Sequence, residues 1–187
     1  MPPTPAPPHK PTPFWPSSFA ALIALACVAI ASAPAQSEDE AAGAVSGLPV
    51  PRFVSLKADK VNLRAGPTRE HDVTWVFTRA GLPVEITAES ENWRRIRDSE
   101  GTEGWVYHSL LSSRRTVLVA PWSKKEETFS LHQSGDANAR VTAQLQPSVL
   151  ASVKTCDKKW CRIFGDGFDG YIEQERLWGV YPNETVE

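Results

Sequence analysis

From Phe53 onward, apolar and polar residues alternate over short runs. Val54, Leu56 and Ala58 alternate with polar neighbours, as do Val84, Ile86 and Ala88, and Val73 to Thr78 is rich in β-branched and aromatic residues. Trp93 to Arg97 and Gly104 to Tyr107 are two more runs of the same kind. Turn formers stand between them: Arg64-Ala65-Gly66-Pro67, Ala80-Gly81-Leu82-Pro83, Ser90-Glu91-Asn92 and Asp98-Ser99-Glu100-Gly101. A period of two, cut by Gly, Pro and Asn, predicts short antiparallel strands in a small barrel or sandwich. No stretch after Phe53 holds an apolar stripe at helical spacing for three turns, so the fold class is all-β.

The pattern then runs a second time. Asn62-Leu63-Arg64-Ala65-Gly66-Pro67 faces Ser130-Leu131-His132-Gln133-Ser134-Gly135, and Val84-Glu85-Ile86 faces Ala151-Ser152-Val153. Trp93 and Trp160 correspond, each followed three residues on by an isoleucine, Ile96 or Ile163. Gly104-Trp105-Val106 faces Gly170-Tyr171-Ile172, and Leu111 faces Leu177. Two units of roughly 65 residues each sit near the lower size limit for a self-sufficient core. That accounts for the density of tryptophan, whose ring covers a large area per residue.

These residues resemble the bacterial SH3-like (SH3b) domains. The motifs that carry the resemblance are Val61-Asn62-Leu63-Arg64-Ala65-Gly66-Pro67, Gly81-Leu82-Pro83-Val84-Glu85-Ile86, Asn92-Trp93-Arg94-Arg95-Ile96 and Gly104-Trp105-Val106. In the second unit they are Lys159-Trp160-Cys161-Arg162-Ile163 and Gly170-Tyr171-Ile172, with Ser130-Leu131-His132 replacing the Asn-x-Arg signature. The resemblance implies two tandem half-open β-barrels, over residues 53–117 and 118–182, with 183–187 as a C-terminal tail. It also implies targeting or binding modules rather than catalysts. Asn62, Arg64, Gly66, Pro67, Gly104, Trp105, Gly170 and Tyr171 are the structural motif positions.

The N-terminal segment has a different character. A Pro-rich opening carrying Lys10 leads into an uncharged run from Phe19 to Ala31, followed by Ala33-Pro34-Ala35. A run this short matches the apolar core of a secretory signal better than a membrane span, and small residues flank the expected cleavage after Ala35. Residues 1–35 are therefore expected to be a signal peptide and the mature chain periplasmic or secreted. An uncleaved anchor is the competing reading. Cys27 lies inside the apolar run, out of register with a lipid-attachment motif. Residues 36–52 lack aromatics and periodicity and read as a flexible linker.

Charge and candidate chemistry narrow the function. The formal net charge is −2, with 20 Lys plus Arg against 22 Asp plus Glu, so there is no basic surplus for nucleic acid. Export permits a disulfide, and Cys156 and Cys161 flank the polar turn Asp157-Lys158-Lys159 between two strand-like runs, where bridging is geometrically feasible. The spacing is not that of a redox-active Cys-x-x-Cys pair. His9, His71, His108 and His132 are scattered, with no metal-ligand spacing, so no metal or cofactor is expected. There is no Gly-x-Ser-x-Gly elbow, and Gly165 to Gly170 lacks the endings of calcium and phosphate loops, so it reads as a hairpin turn.

Alternation along Trp93 to Arg97 puts Trp93 with Arg95 and Arg97 on the face opposite Ile96. An outward aromatic beside arginines is a candidate ligand shelf, with Trp160 as its equivalent. The expected function is an exported, non-enzymatic module. It would recognise a peptide, protein or peptidoglycan fragment, with no nucleic-acid partner and no membrane span in the mature chain. The alternative is an assembly protein making protein–protein contacts in the envelope.

Overall fold

The computed structural model describes residues 41–42 and 45–187. The expected signal peptide, its cleavage point and Cys27 lie outside the described residues. Among the described residues no helix is long and apolar enough to cross a membrane.

A short hairpin, β1 (Ala41–Ala42) and β2 (Pro49–Val50), precedes the first sheet. That sheet comprises β3 (Arg52–Leu56), β4 (Val61–Arg64), β5 (Val73–Phe77), β6 (Pro83–Ser90), β7 (Trp93–Arg97), β8 (Glu103–Tyr107) and β9 (Leu111–Ser112). Its strands lie in the order β5-β4-β8-β7-β6-β3-β9. The second comprises β10 (Thr116–Val119), β11 (Phe129–His132), β12 (Val141–Leu145), β13 (Leu150–Asp157), β14 (Trp160–Gly165), β15 (Phe168–Glu173) and β16 (Leu177–Trp178). Its order, β12-β11-β15-β14-β13-β10-β16, is the first pattern repeated, and β17 (Thr185–Val186) joins β13 beside it. Every pairing is antiparallel. The chain is thus all-β, in two tandem barrels.

Alternation builds each core. In β4, Val61 and Leu63 are buried while Asn62 and Arg64 look outward. Leu56, Phe77, Val84, Ile86, Ile96 and Val106 complete the first core. Val117, Val119, Leu131, Ile163, Ile172 and Leu177 form a separate second core, which includes Cys156 and Cys161. Bulges recur at matching points, between Leu63 and Arg64 and between Leu131 and His132. Gly104 and Gly170 let their strands approach closely. A Cβ on either would lie within 2.8 Å of the carbonyl oxygen of Arg64 or His132 respectively.

Three boundaries differ from expectation. Thr116-Val117-Leu118-Val119 is one fully buried strand of the second sheet, so a division after Val117 falls inside it. Residues 183–187, expected as a tail, carry β17, which pairs with Cys156 and Asp157. The supposed flexible linker is fastened at its described end. The N–H groups of Val45 and Ser46 donate to Glu89, and Arg52 closes an ion pair with the same carboxylate. Burial pushes the Glu89 carboxyl up. Its donors, with the Ser46 hydroxyl among them, overcome that and hold it at about 2.

The barrels meet along a seam of side chains. The Phe53 ring meets Trp178 edge to face at 5.2 Å and Tyr181 at 4.7 Å. The Trp178 indole donates to the Pro83 carbonyl at 3.3 Å, and the Thr116 hydroxyl to that of Gly81 at 2.6 Å.

Candidate functional site

The first barrel's cleft grows from one cross-strand pair. Trp93 opens β7 and sits directly opposite Tyr107 of β8, and such partners share a face. Their rings meet edge to face at 5.4 Å. Arg69 lies over the other ring of the pair, its guanidinium carbon 6.0 Å from the Tyr107 centroid, in cation–π geometry. Arg64 fixes that placement. One of its guanidinium nitrogens donates to the carbonyls of Arg69 and His71, at 2.9 and 2.7 Å. The Ala65 N–H donates to the Asp72 carbonyl at 3.0 Å, closing the base of the same loop. Gly66 lies inside it against the exposed His71 imidazole, which a side chain at that position would have to displace. With Lys60, Asn62 and Ser109 these residues enclose a cleft of about 540 Å³ that no carboxylate lines.

The second barrel repeats the device with different chemistry. His132 stands where Arg64 does, and its Nδ1 donates to the Ala139 carbonyl at 3.0 Å, again seven residues on. The Gln133 N–H donates to the Arg140 carbonyl, as Ala65 does to Asp72. The His132 ring meets Trp160 edge to face at 5.6 Å. The cleft here is about 320 Å³, and its cation, Arg176, is met by Glu173 at 3.5 Å.

The four candidate binding residues do not form one shelf. Trp93 and Trp160 are only 8% and 5% exposed, which corrects the expectation of outward-facing rings. Trp93 does lie on the Arg95 face, but Tyr107 covers it. Arg95 pairs with Glu103 on the outer sheet face, and Arg97 donates two hydrogen bonds to Glu85 at the seam. The structural motif positions behave as a group. Asn62 and Arg64 line the cleft, Gly66 and Pro67 form its loop, and Trp105 and Tyr171 pair with Arg64 and His132 across the strands that Gly104 and Gly170 bring close. Sequence reasoning missed Lys60, Arg69 and Tyr107. The signal for Tyr107 was its place two residues after Trp105, which puts both on one face.

Cys156 and Cys161 are directly opposite in β13 and β14 and form a disulfide, their Cα atoms 4.1 Å apart. Asp157 accepts the N–H groups of Trp160 and Lys159 at 2.7 and 3.1 Å, and these donors hold its carboxyl below the usual range. Among the described residues no cluster of His, Cys, Asp and Glu is arranged to hold a metal ion.

The bacterial SH3 domain model matches residues 57–113 and again residues 125–179, more than half of the chain and one match per barrel. The chain belongs to the bacterial SH3 domain family. No curated protein matches it. Two solved structures are similar in part. NlpC1 from Trichomonas vaginalis is 13% identical, covering 72% of this chain and 48% of that one at a TM-score of 0.29. NlpC2 from the same organism is 12% identical, covering 68% of this chain and 48% of that one, also at 0.29. The chain thus spans about half the length of these structures. As bacterial SH3 domains the two barrels are binding modules in tandem. Of the two, the first SH3 domain has the larger and more cationic cleft.

Proposed function

We propose that this chain is an exported, non-enzymatic binding module. Its first SH3 domain takes an anionic peptide or cell-wall polymer fragment in the cleft around Trp93 and Tyr107. The observation that carries this reading is the cleft's lining: Lys60, Arg64 and Arg69 surround two aromatic rings with no carboxylate among them. A negative ligand there meets three lining cations and no lining carboxylate, and Trp, Tyr and Arg dominate contact energies. The apolar leader supports export, and so does the disulfide, since disulfides persist in oxidising compartments. The partners are a peptide, a protein or a peptidoglycan fragment of the envelope, and not nucleic acid. The test is retention on isolated peptidoglycan. Wild type is retained, Arg69→Ala and Tyr107→Ala are released, high salt weakens the hold, and labelled peptidoglycan is not turned over. Absence of retention, with no peptide captured by crosslinking in the intact envelope, overturns the reading.

A second reading, an assembly protein of the envelope, is favoured by strand β5. It ends the first sheet and leaves Val73, Trp75 and Val76 exposed, an unguarded edge of the kind that recruits another chain. Crosslinks to an envelope protein through Trp75 rather than Tyr107 would select it.

A further inference from the structure

A cavity of about 770 Å³, larger than either domain's own cleft, opens at the seam between the two SH3 domains. One wall is aromatic and already fixed in place. Phe53 holds Trp178 and Tyr181 by ring contacts, and the Trp178 N–H and Tyr181 O–H are anchored on Pro83 and Glu85. Trp122 stands at the cavity 59% exposed, and its indole N–H has no hydrogen-bond partner among the described residues.

Three carboxylates, Glu85, Glu173 and Glu175, and three cations, Arg97, Lys158 and Lys159, line the opening. Arg97 is bound to Glu85, while Glu173 and Glu175 both face Arg176. Lys158 and Lys159 line the cavity with no ion pair among the described residues. The turn that presents them is fixed twice, by the Cys156–Cys161 disulfide beneath it and by the Asp157 carboxylate capping the N–H groups of Lys159 and Trp160. Lys158 has φ of 82°, a conformation in which glycine or asparagine costs less, so a lysine here is held against local preference. The equivalent turn of the first domain carries Glu91 and Asn92 instead.

An exposed indole face and two ammonium groups lining one cavity suit a ring with a C–H face and a carboxylate. An extended peptide cannot join the ladder at Cys156 and Asp157, because β17 already occupies that edge of β13. We propose that the seam cavity is a second binding site, for a carboxylated saccharide, with the sugar ring on Trp122 and its carboxylate on Lys158 and Lys159. This site is separate from the Trp93–Tyr107 cleft, and the two readings stand or fall independently.

The experiment titrates the full chain with hyaluronan tetrasaccharide, uncharged chitotetraose and tetra-glutamate, following tryptophan fluorescence. The hyaluronan fragment binds, chitotetraose binds about tenfold more weakly or not at all, and high salt removes the difference. Trp122→Ala and the double change Lys158→Gly, Lys159→Gln each lower hyaluronan affinity by about fivefold or more. Both variants fold, since Trp122 is exposed and glycine relieves the Lys158 turn. Both seam variants are compared in a Tyr107→Ala background as well, so that any hyaluronan held in the Trp93–Tyr107 cleft is subtracted. Equal binding of chitotetraose, insensitivity to both seam variants, or preference for tetra-glutamate overturns the proposal, the last in favour of an acidic peptide.

Discussion

The Tyr181 hydroxyl of the second SH3 domain donates to Glu85 of the first at 3.0 Å. Burial and the Glu85 charge push the phenol well above its ordinary range, so it remains a donor at any physiological pH. Arg97 takes the other oxygen of the same carboxylate. Two domains with separate cores are therefore joined by a polar triad beside the ring cluster centred on Phe53. Tyr181→Phe is expected to cost about 1 kcal/mol. Phe53→Ala, which removes the ring that holds Trp178 and Tyr181 together, costs about 3 kcal/mol. Chemical denaturation monitored by tryptophan fluorescence measures both. Equal, negligible effects would mean that the seam contributes nothing to stability.

Glu89 makes the N-terminal attachment sensitive to acid. Its carboxyl is held at about 2 against an ordinary 4.5, so its contribution is complete above the ordinary value and is lost as pH falls toward 2. Amide exchange at Val45 and Ser46 should therefore accelerate on acidification, beyond the intrinsic pH trend. Glu89→Gln should abolish that dependence and speed exchange at neutral pH. Unaltered protection in the variant would show that the segment is held by other contacts.

How much of this could be read in the sequence depended on how local each determinant is. Gly104 and Gly170, Trp93 and Trp160, and the two cysteines were legible because turn chemistry and alternation act over a few residues. The exposure of Trp93 was not, because the side chain that covers it, Tyr107, belongs to the next strand. The attachment of Val45 and Ser46 was hidden for the same reason, since Glu89 lies more than forty residues on. The division between domains was misplaced because Thr116 to Val119 is buried at every position and offers no alternation to read. β17, two residues long, has no pattern at all.

The internal duplication supplies a control for the exposed tryptophan. Trp75 pairs with Leu63, and Ala143 pairs with Leu131 at the matching position of the second domain. The fold therefore does not need a large ring there, and Trp75→Ala should change stability by no more than about 0.5 kcal/mol. Trp93→Ala removes a buried ring and its contact with Tyr107, and should cost about 3 kcal/mol or more. Thermal and denaturant midpoints of the two variants decide it. A large loss for Trp75→Ala would mean that its ring packs more than its 53% exposure indicates.

The disulfide closes a short loop, so its effect on the unfolded chain is modest, about 2 kcal/mol on the entropic account. The double substitution Cys156→Ser and Cys161→Ser should lower the denaturation midpoint by that order and leave the first domain's core intact. Thiol labelling of the native chain should stay low without reductant and rise with it. Ready labelling of both cysteines in the oxidised protein would rule the bridge out.

Arg64 and His132 do the same work with different groups, each holding the carbonyl seven residues downstream. Arg64 does more, because its second bond, to the Arg69 carbonyl, sets the guanidinium of Arg69 over Tyr107. Arg64→Ala should therefore speed amide exchange across residues 65–72 and weaken retention on peptidoglycan, even though the Arg64 fork is turned into its own loop. His132→Ala should speed exchange across residues 133–140 and leave retention unchanged, because the second cleft carries no unpaired cation of that kind. Loss of retention from both variants would place the ligand across the two domains rather than in the first. Loss from neither would separate loop order from binding altogether.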